Sequence, residues 1–342
     1  MSNYGKDWTR FLDEEGEDAW KYDFRFEAEG WARDKSEAIK EAVSKFVSIT
    51  DDDISRTIEY KASGIGFDPD DSNCTCDLSR SIYEAIWKDL FRSMQNENET
   101  PTLKGVPKEF IKQWHNLGLG VSSDTMHTFK TTYNQALIIY AMKITEMGEK
   151  EFSEKYFRKF ESRNGQQWWG WNYDAIRQDI PNLEESVHSN KLLRKFAGLS
   201  QTIGSFALIP RKIQLKNSEG VALCPRPYFQ SRGISKHLKD YWDLSLDALK
   251  TTLRLMSQEF GDALFKGYVD MFQLKEYYVD ENYNVINLFT RKTKPESPFP
   301  WNCDELDEYL ENVNTKIEAR GKGLITLLHE ERNRVHDTIE LK

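Results

Sequence analysis

A chain of 342 residues with 39% hydrophobic and 13% aromatic side chains has enough apolar surface to offset the ordering entropy of a core, so disorder is not the default expectation. The formal net charge of −9 is regional: residues 1–100 hold 24 Asp and Glu against 13 Lys and Arg, leaving 32 acids and 34 bases for the rest. A face of that sign repels phosphate backbones and suits a basic protein groove, so direct nucleic-acid binding is not expected and a protein partner with a basic surface is; a solvated face that keeps the chain soluble is the plainer alternative.

Bilayer crossing requires roughly 18 or more apolar residues, and the run Ala136–Met142 ends at Lys143, so no membrane association is expected. Residues 1–10 show no basic flank followed by an apolar core, so export is not expected and the cytoplasm is the expected address. The cysteines, at 74, 76, 224 and 303, form no disulfide framework for a chain of this size. Cys74-Thr-Cys76 lacks the two-residue spacer of zinc knuckles and has no nearby His or Cys pair, so no metal and no cofactor are expected.

In chain order, Tyr22, Phe24, Phe26 and Ala28 alternate with charged residues as in a half-buried strand. Asp34-Lys-Ser-Glu37 has the form of a capping box, and Ile39, Ala42, Val43, Phe46 and Val47 follow at helical spacing. Ile58, Tyr60 and Ala62 alternate again, which predicts a small strand, helix, strand unit over about 20–68. Asp77 can cap a helix carrying Leu78, Ile82, Ile86, Leu90 and Met94. The polar stretch Gln95–Pro101 then predicts a boundary near 95–106, dividing an acidic α+β domain, 1–100, from a mainly helical domain, 101–342.

Beyond it, Ser122-Ser-Asp124 offers cap material for a helix with Met126, Phe129, Tyr133, Ala136, Leu137, Tyr140 and Ile144 on one stripe. Phe152, Tyr156, Phe157 and Phe160 form a second stripe. Further helices are predicted at about 183–199, 241–258, 260–276 and 304–331, with a short extended segment at 203–209. The fold class expected is therefore α+β and mainly α, a small strand-helix-strand part followed by a larger helical part with a few short strands. No heptad pattern specifies a coiled coil, and a homo-oligomer stays open.

Glycine-rich nucleotide motifs and a Gly-x-Ser-x-Gly elbow are absent, and the six His are scattered without a His-Glu-x-x-His pattern. The candidate binding residues are Asp51, Asp52 and Asp53 in the acidic part, and Trp168, Trp169 and Trp171 in the aromatic stretch Gln166–Tyr173. That stretch reads as a loop between two helices, where aromatics plug a gap, anchor a protein interface or stack on bases. Arg232, Asp240 and Asp243 form a polar cluster that pairs two helices or grips an anion.

The ordered set Thr202-Ile-Gly-Ser-Phe206, Ser231-Arg-Gly233, Asp240-Tyr-Trp-Asp-Leu244, Tyr268–Leu274, Ser297-Pro-Phe-Pro300 and Asp307-Glu-Tyr-Leu310 resembles an uncharacterised bacterial and phage protein family. That family carries Thr-Ile-Gly-Asn-Phe, Arg-Gly, Asp-Tyr-Phe-Asp-Leu and late Tyr-Leu motifs. The resemblance spans about 120–325, with Ser205 where the family usually has Asn and Trp242 where it has Phe, and it implies no established activity. It implies a phage association, hence the expectation of a non-catalytic inhibitor that occupies a nucleic-acid-binding surface of a bacterial defence complex, its acids standing in for phosphates. The alternative is a degenerate metal-dependent nuclease, because Gly204–Leu208 is loosely similar to a strand of one branch of His-Asn-His nucleases. Asp179 and His188 would then carry the chemistry, although the branch's Asp-x-Glu-His group is replaced by Asp179-Ile-Pro-Asn182.

Overall fold

The computed structural model describes residues 4–24, 58, 61, 77–86, 122–125, 129–165, 167–209, 215–216, 222–223, 246, 250, 253–254, 261–286, 288 and 302–340, and of 77, 80, 122–125, 168, 207–209, 215–216, 222–223 and 335–340 the backbone alone. The fold is α+β and mainly α. Among the described residues the order is α1 (Trp8–Glu15), a 3₁₀ segment (Gly16–Lys21), α2 (Asp77–Ile86), β1 (Ser122–Thr125), α3 (Phe129–Thr145), α4 (Glu149–Tyr156), β2 (Phe157–Glu161) and β3 (Gln167–Trp171). Then come α5 (Tyr173–Asp179), α6 (Leu183–His188), α7 (Lys191–Leu199), a 3₁₀ turn (Ile203–Ser205), β4 (Phe206–Ile209), β5 (Leu215–Lys216), β6 (Ala222–Leu223), α8 (Gly261–Met271) and α9 (Cys303–Glu340). The strands pair as three antiparallel two-stranded sheets, β1 with β4, β2 with β3, and β5 with β6.

The long helix α9 is the axis of the core. Leu306, Tyr309, Leu310, Val313, Ile317, Arg320, Leu324 and Leu328 recur at three- and four-residue spacing and are all buried. That stripe meets α2, α3, α7, the first 3₁₀ segment and the Ile203–Ser205 turn. The closest approach is at Gly204, where a Cβ would stand 2.0 Å from the Ile317 carbonyl oxygen and 2.9 Å from the Gly321 amide nitrogen. Only glycine lets the turn lie directly on the helix backbone.

That approach strips the turn's carbonyls from water, and a buried polar group without a partner is costly. Arg320, fully buried, supplies the partners. Its Nη1 donates to the carbonyls of Ile203 (3.3 Å), Gly204 (2.8 Å) and Phe206 (2.9 Å). Nη2 donates to Phe272 O and Tyr83 Oη, each at 2.7 Å, and Nε donates to Phe272 O at 3.0 Å. The Tyr83 hydroxyl passes its own proton to Phe206 O at 2.6 Å. One planar guanidinium thereby joins α2, the turn, the end of α8 and α9, a task for which its fixed fork of donors is suited.

The amino-terminal residues share this core. Tyr4, Phe11, Tyr22, Phe24 and Phe206 form a run of edge-on and tilted ring contacts with centroids 5.3–6.2 Å apart. Behind them Asp23 and Lys61 form a buried ion pair at 3.3 Å, and Lys61 Nζ also donates to Ser200 Oγ at 3.1 Å.

Several expectations are corrected. Tyr22 and Phe24 are buried as expected, but Tyr22–Phe24 follows a 3₁₀ segment and is not strand; the rest of that strand lies outside the described residues. Ile58 and Lys61 are helical and not in a strand, because it is their three-residue spacing that turns both side chains into the core. Ser122–Asp124 is no helix cap: it pairs with Ala207–Ile209 in β1 and β4. The second aromatic stripe breaks at Tyr156, since Phe157–Glu161 is strand. The helix at 183–199 divides at Ser189-Asn190, where the Asn190 side chain caps α7 through the Leu193 amide. The capping box at 34–37 with its helix, the boundary at 95–106, and Cys74, Cys76 and Cys224 all lie outside the described residues.

Two substitutions test this core in urea or thermal unfolding. Gly204→Ala places a methyl against backbone that cannot move aside and is expected to destabilise by more than about 3 kcal/mol. Arg320→Lys keeps the charge but cannot span the acceptors, and a loss on the order of 3–5 kcal/mol is expected; unchanged midpoints would show that the buried guanidinium is dispensable.

Candidate functional site

The stretch read as an aromatic loop is one strand of a hairpin. β3 pairs with β2 in the register Phe157↔Trp171, Arg158↔Gly170, Lys159↔Trp169, Phe160↔Trp168 and Glu161↔Gln167. Aromatic residues favour a pleated surface, which explains why the stretch does not continue as helix. Gly165, at φ +79°, supplies the left-handed residue of the turn, and its amide donates to Ser162 O at 2.9 Å. At the base, Asn172 N donates to Tyr156 O at 2.9 Å and closes the ladder.

Directly opposed residues share a face, so Phe157, Lys159 and Glu161 lie with Trp171, Trp169 and Gln167. On this face a ladder of rings climbs out of the core. Fully buried Phe152 meets Trp171 at 5.8 Å, Trp171 meets Phe157 edge-on at 5.2 Å, and Phe157 stacks on Trp169 at 6.0 Å with planes 20° apart. Phe157 is 40% exposed and Trp169 64% exposed. Both belong to the large apolar side chains that the described surface leaves in water, a state that marks an interaction site when the rings are contiguous.

The ribbon is basic. Residues 155–171 contain Lys155, Arg158, Lys159 and Arg163 against the single acid Glu161. Glu161 accepts from Gln167 Nε2 at 2.9 Å, and the Arg158 guanidinium sits 5.1 Å from the Phe160 ring centroid. At the base, Lys155 pairs with Asp179 at 3.2 Å, and the Tyr156 hydroxyl donates to the same carboxylate at 3.1 Å. The Lys155 and Tyr156 donors hold the Asp179 carboxyl below its ordinary value. Burial pushes the neighbouring Tyr173 phenol up to about 12.

Of the candidates named from sequence, Trp169 and Trp171 belong to this ring ladder, and Trp168 takes the register position opposite Phe160. Asp51, Asp52 and Asp53, and the cluster Arg232, Asp240 and Asp243, lie outside the described residues. Asp179 is engaged by Lys155 and Tyr156, whereas His188 Nε2 lies 2.9 Å from the Tyr133 hydroxyl. No group of three or more His, Cys, Asp or Glu that could hold a metal occurs among the described residues. Phe157 was read from sequence as part of a helical stripe, and Arg158 and Lys159 were not singled out, although the period-two order Phe157, Lys159, Glu161 carries the strand signal.

Residues of the ordered motifs hold the core together. Gly204 seats the turn on α9, Phe272 accepts from Arg320, and Asp307 accepts from Asn190 Nδ2 at 2.7 Å. A shallow cavity of about 270 Å³ between Gln273, Tyr277 and the Gly323–Leu327 part of α9 backs onto the Arg320 cluster, whose donors already face carbonyls.

The Tyr173 phenol gives a pH test of its burial at the start of α5. Its folded-state value lies above the ordinary 10.0, so its contribution is complete below pH 10 and is lost as pH rises toward about 12. Urea unfolding is expected to show a fall on the order of 2–3 kcal/mol across that window in the wild type that Tyr173→Phe lacks; parallel profiles would refute it.

Comparison with protein-family models, with curated proteins and with solved structures found no match for this chain.

Proposed function

We propose that this chain is a binding protein without catalysis of its own, and that the β2–β3 hairpin is its anchoring surface. The observation that carries this reading is the Trp169–Phe157 stack, held in water by a ring ladder rooted in buried Phe152. An exposed aromatic with one fixed position loses little conformational freedom on contact, and such rings dominate binding energetics. The three bases of the ribbon, Arg158, Lys159 and Arg163, against the one acid Glu161 favour an occupant of negative charge.

The sharper reading, an inhibitor that covers a nucleic-acid-binding surface of a bacterial defence complex, is supported by the acidic balance of residues 1–100, Asp51–Asp53 included, and by the motif resemblance. It concerns a second surface of opposite sign, for a protein partner that is itself basic.

The anchoring role is tested by affinity capture from bacterial lysate with the wild-type chain and with Trp169→Ala, comparing bound components by mass. Trp169 is mostly exposed, so the variant is expected to fold normally while losing at least one stoichiometric component. Identical captured sets would remove the hairpin from the binding surface.

A further inference from the structure

We infer that the occupant of the hairpin is single-stranded nucleic acid, bound by base stacking on Trp169 and by phosphate contacts to the ribbon's cations. This deepens the reading of the hairpin as the anchoring surface and rests on it. Three observations carry it together.

The first is the geometry of the rings. Trp169 and Phe157 stand nearly parallel, with planes 20° apart, and Trp169 is 64% exposed. Every base offers a flat π-face and stacks on such a ring irrespective of sequence. The second is placement. Lys159 lies directly across from Trp169 in the ladder, so a cationic side chain and a stacking surface start from one face of the ribbon, as a base and its own phosphate require. Arg163 sits in the turn beyond Lys159 and adds a second cation, whereas Arg158, one position before Lys159, lies on the opposite face of the ribbon. The third is the charge of the strands and turn, where Arg158, Lys159 and Arg163 outnumber the one carboxylate, Glu161, which shares the Trp169 face and accepts from the neutral Gln167 amide. The helical acids Glu149, Glu151 and Glu154 precede the ribbon on α4 and steer a strand toward the turn end, where Lys159 and Arg163 stand.

The chain's overall acidity is no obstacle. Its excess sits in residues 1–100, and phosphate contacts are governed by charge within about a Debye length, ~8 Å at physiological salt. Lys159 and Arg163 predict modest binding with a shallow salt dependence: a slope of log K against log salt of about −1.4 for a single strand.

The experiment is fluorescence anisotropy of labelled 12-nucleotide oligo-dT and oligo-U with the full chain, across a salt series from low ionic strength. A 12-base-pair duplex and an oligo-glutamate peptide serve as comparison probes. Binding of the single strands with the shallow slope is expected. Trp169→Ala should weaken it roughly tenfold, Trp169→Phe should restore most of it, and the double variant Lys159→Glu, Arg163→Glu should abolish it at low salt. No binding of either oligonucleotide, or binding indifferent to Trp169, overturns the inference. Tighter binding of the duplex overturns it too. Trp169-dependent binding of oligo-glutamate alone, or a Trp169-dependent protein captured from nuclease-treated lysate without oligonucleotide binding, overturns the inference and leaves the hairpin's anchoring role standing.

Discussion

A positive charge buried among carbonyl groups is the constraint on which this fold depends. Arg320 is sealed from water, and its donors face neutral oxygens: four backbone carbonyls and a phenol. Hydrogen bonds to a charged donor are about twice as strong as neutral ones, and in a low-dielectric interior the carbonyl dipoles solvate the cation as water would. The arrangement is reciprocal. The turn at 203–206 presses its backbone onto α9 because Gly204 has no side chain, and only a donor as branched as guanidinium satisfies the carbonyls so exposed.

The aromatic residues serve two ends with one chemistry. Near the amino terminus, Tyr4, Phe11, Tyr22 and Phe24 converge on Phe206 and fill the core edge-on. In the hairpin, Phe152, Trp171, Phe157 and Trp169 form a graded series from fully buried to mostly exposed. The inner rings fix the outer ones, so the exposed surface is pre-organised by the same packing that stabilises the helices beneath it. Charge is likewise divided, with an acidic first hundred residues and a basic ribbon.

The helical character of the body was legible because Phe129–Thr145 and Cys303–Glu340 carry long apolar periods that few other structures satisfy. The strands were harder. Phe152, Tyr156, Phe157 and Phe160 fit a helical stripe as well as a helix followed by a strand, and only the pairing of Phe157–Glu161 with Gln167–Trp171 decides between them. Ile58 and Lys61 misled for the opposite reason, since a two-residue alternation masked the three-residue spacing that buries both. Trp169 and Trp171 were legible as candidates by composition, but their exposure was not, because it depends on a ladder of contacts spread over 20 residues. Arg320 left no signal: in sequence it is one charged residue within Glu318–Lys322.

The reach of the Arg320 clamp bears on how the chain matures during synthesis. Its partners lie 48, 114 to 117 and 237 positions earlier, so the contact that satisfies Tyr83 and the Gly204 turn closes very long loops. Until residue 320 has cleared the ribosome, the carbonyls at 203–206 and the surfaces awaiting α9 stay hydrated and open. Consolidation of the core is therefore a late, nearly whole-chain event, and nascent chains spend most of translation with apolar surface accessible to chaperones.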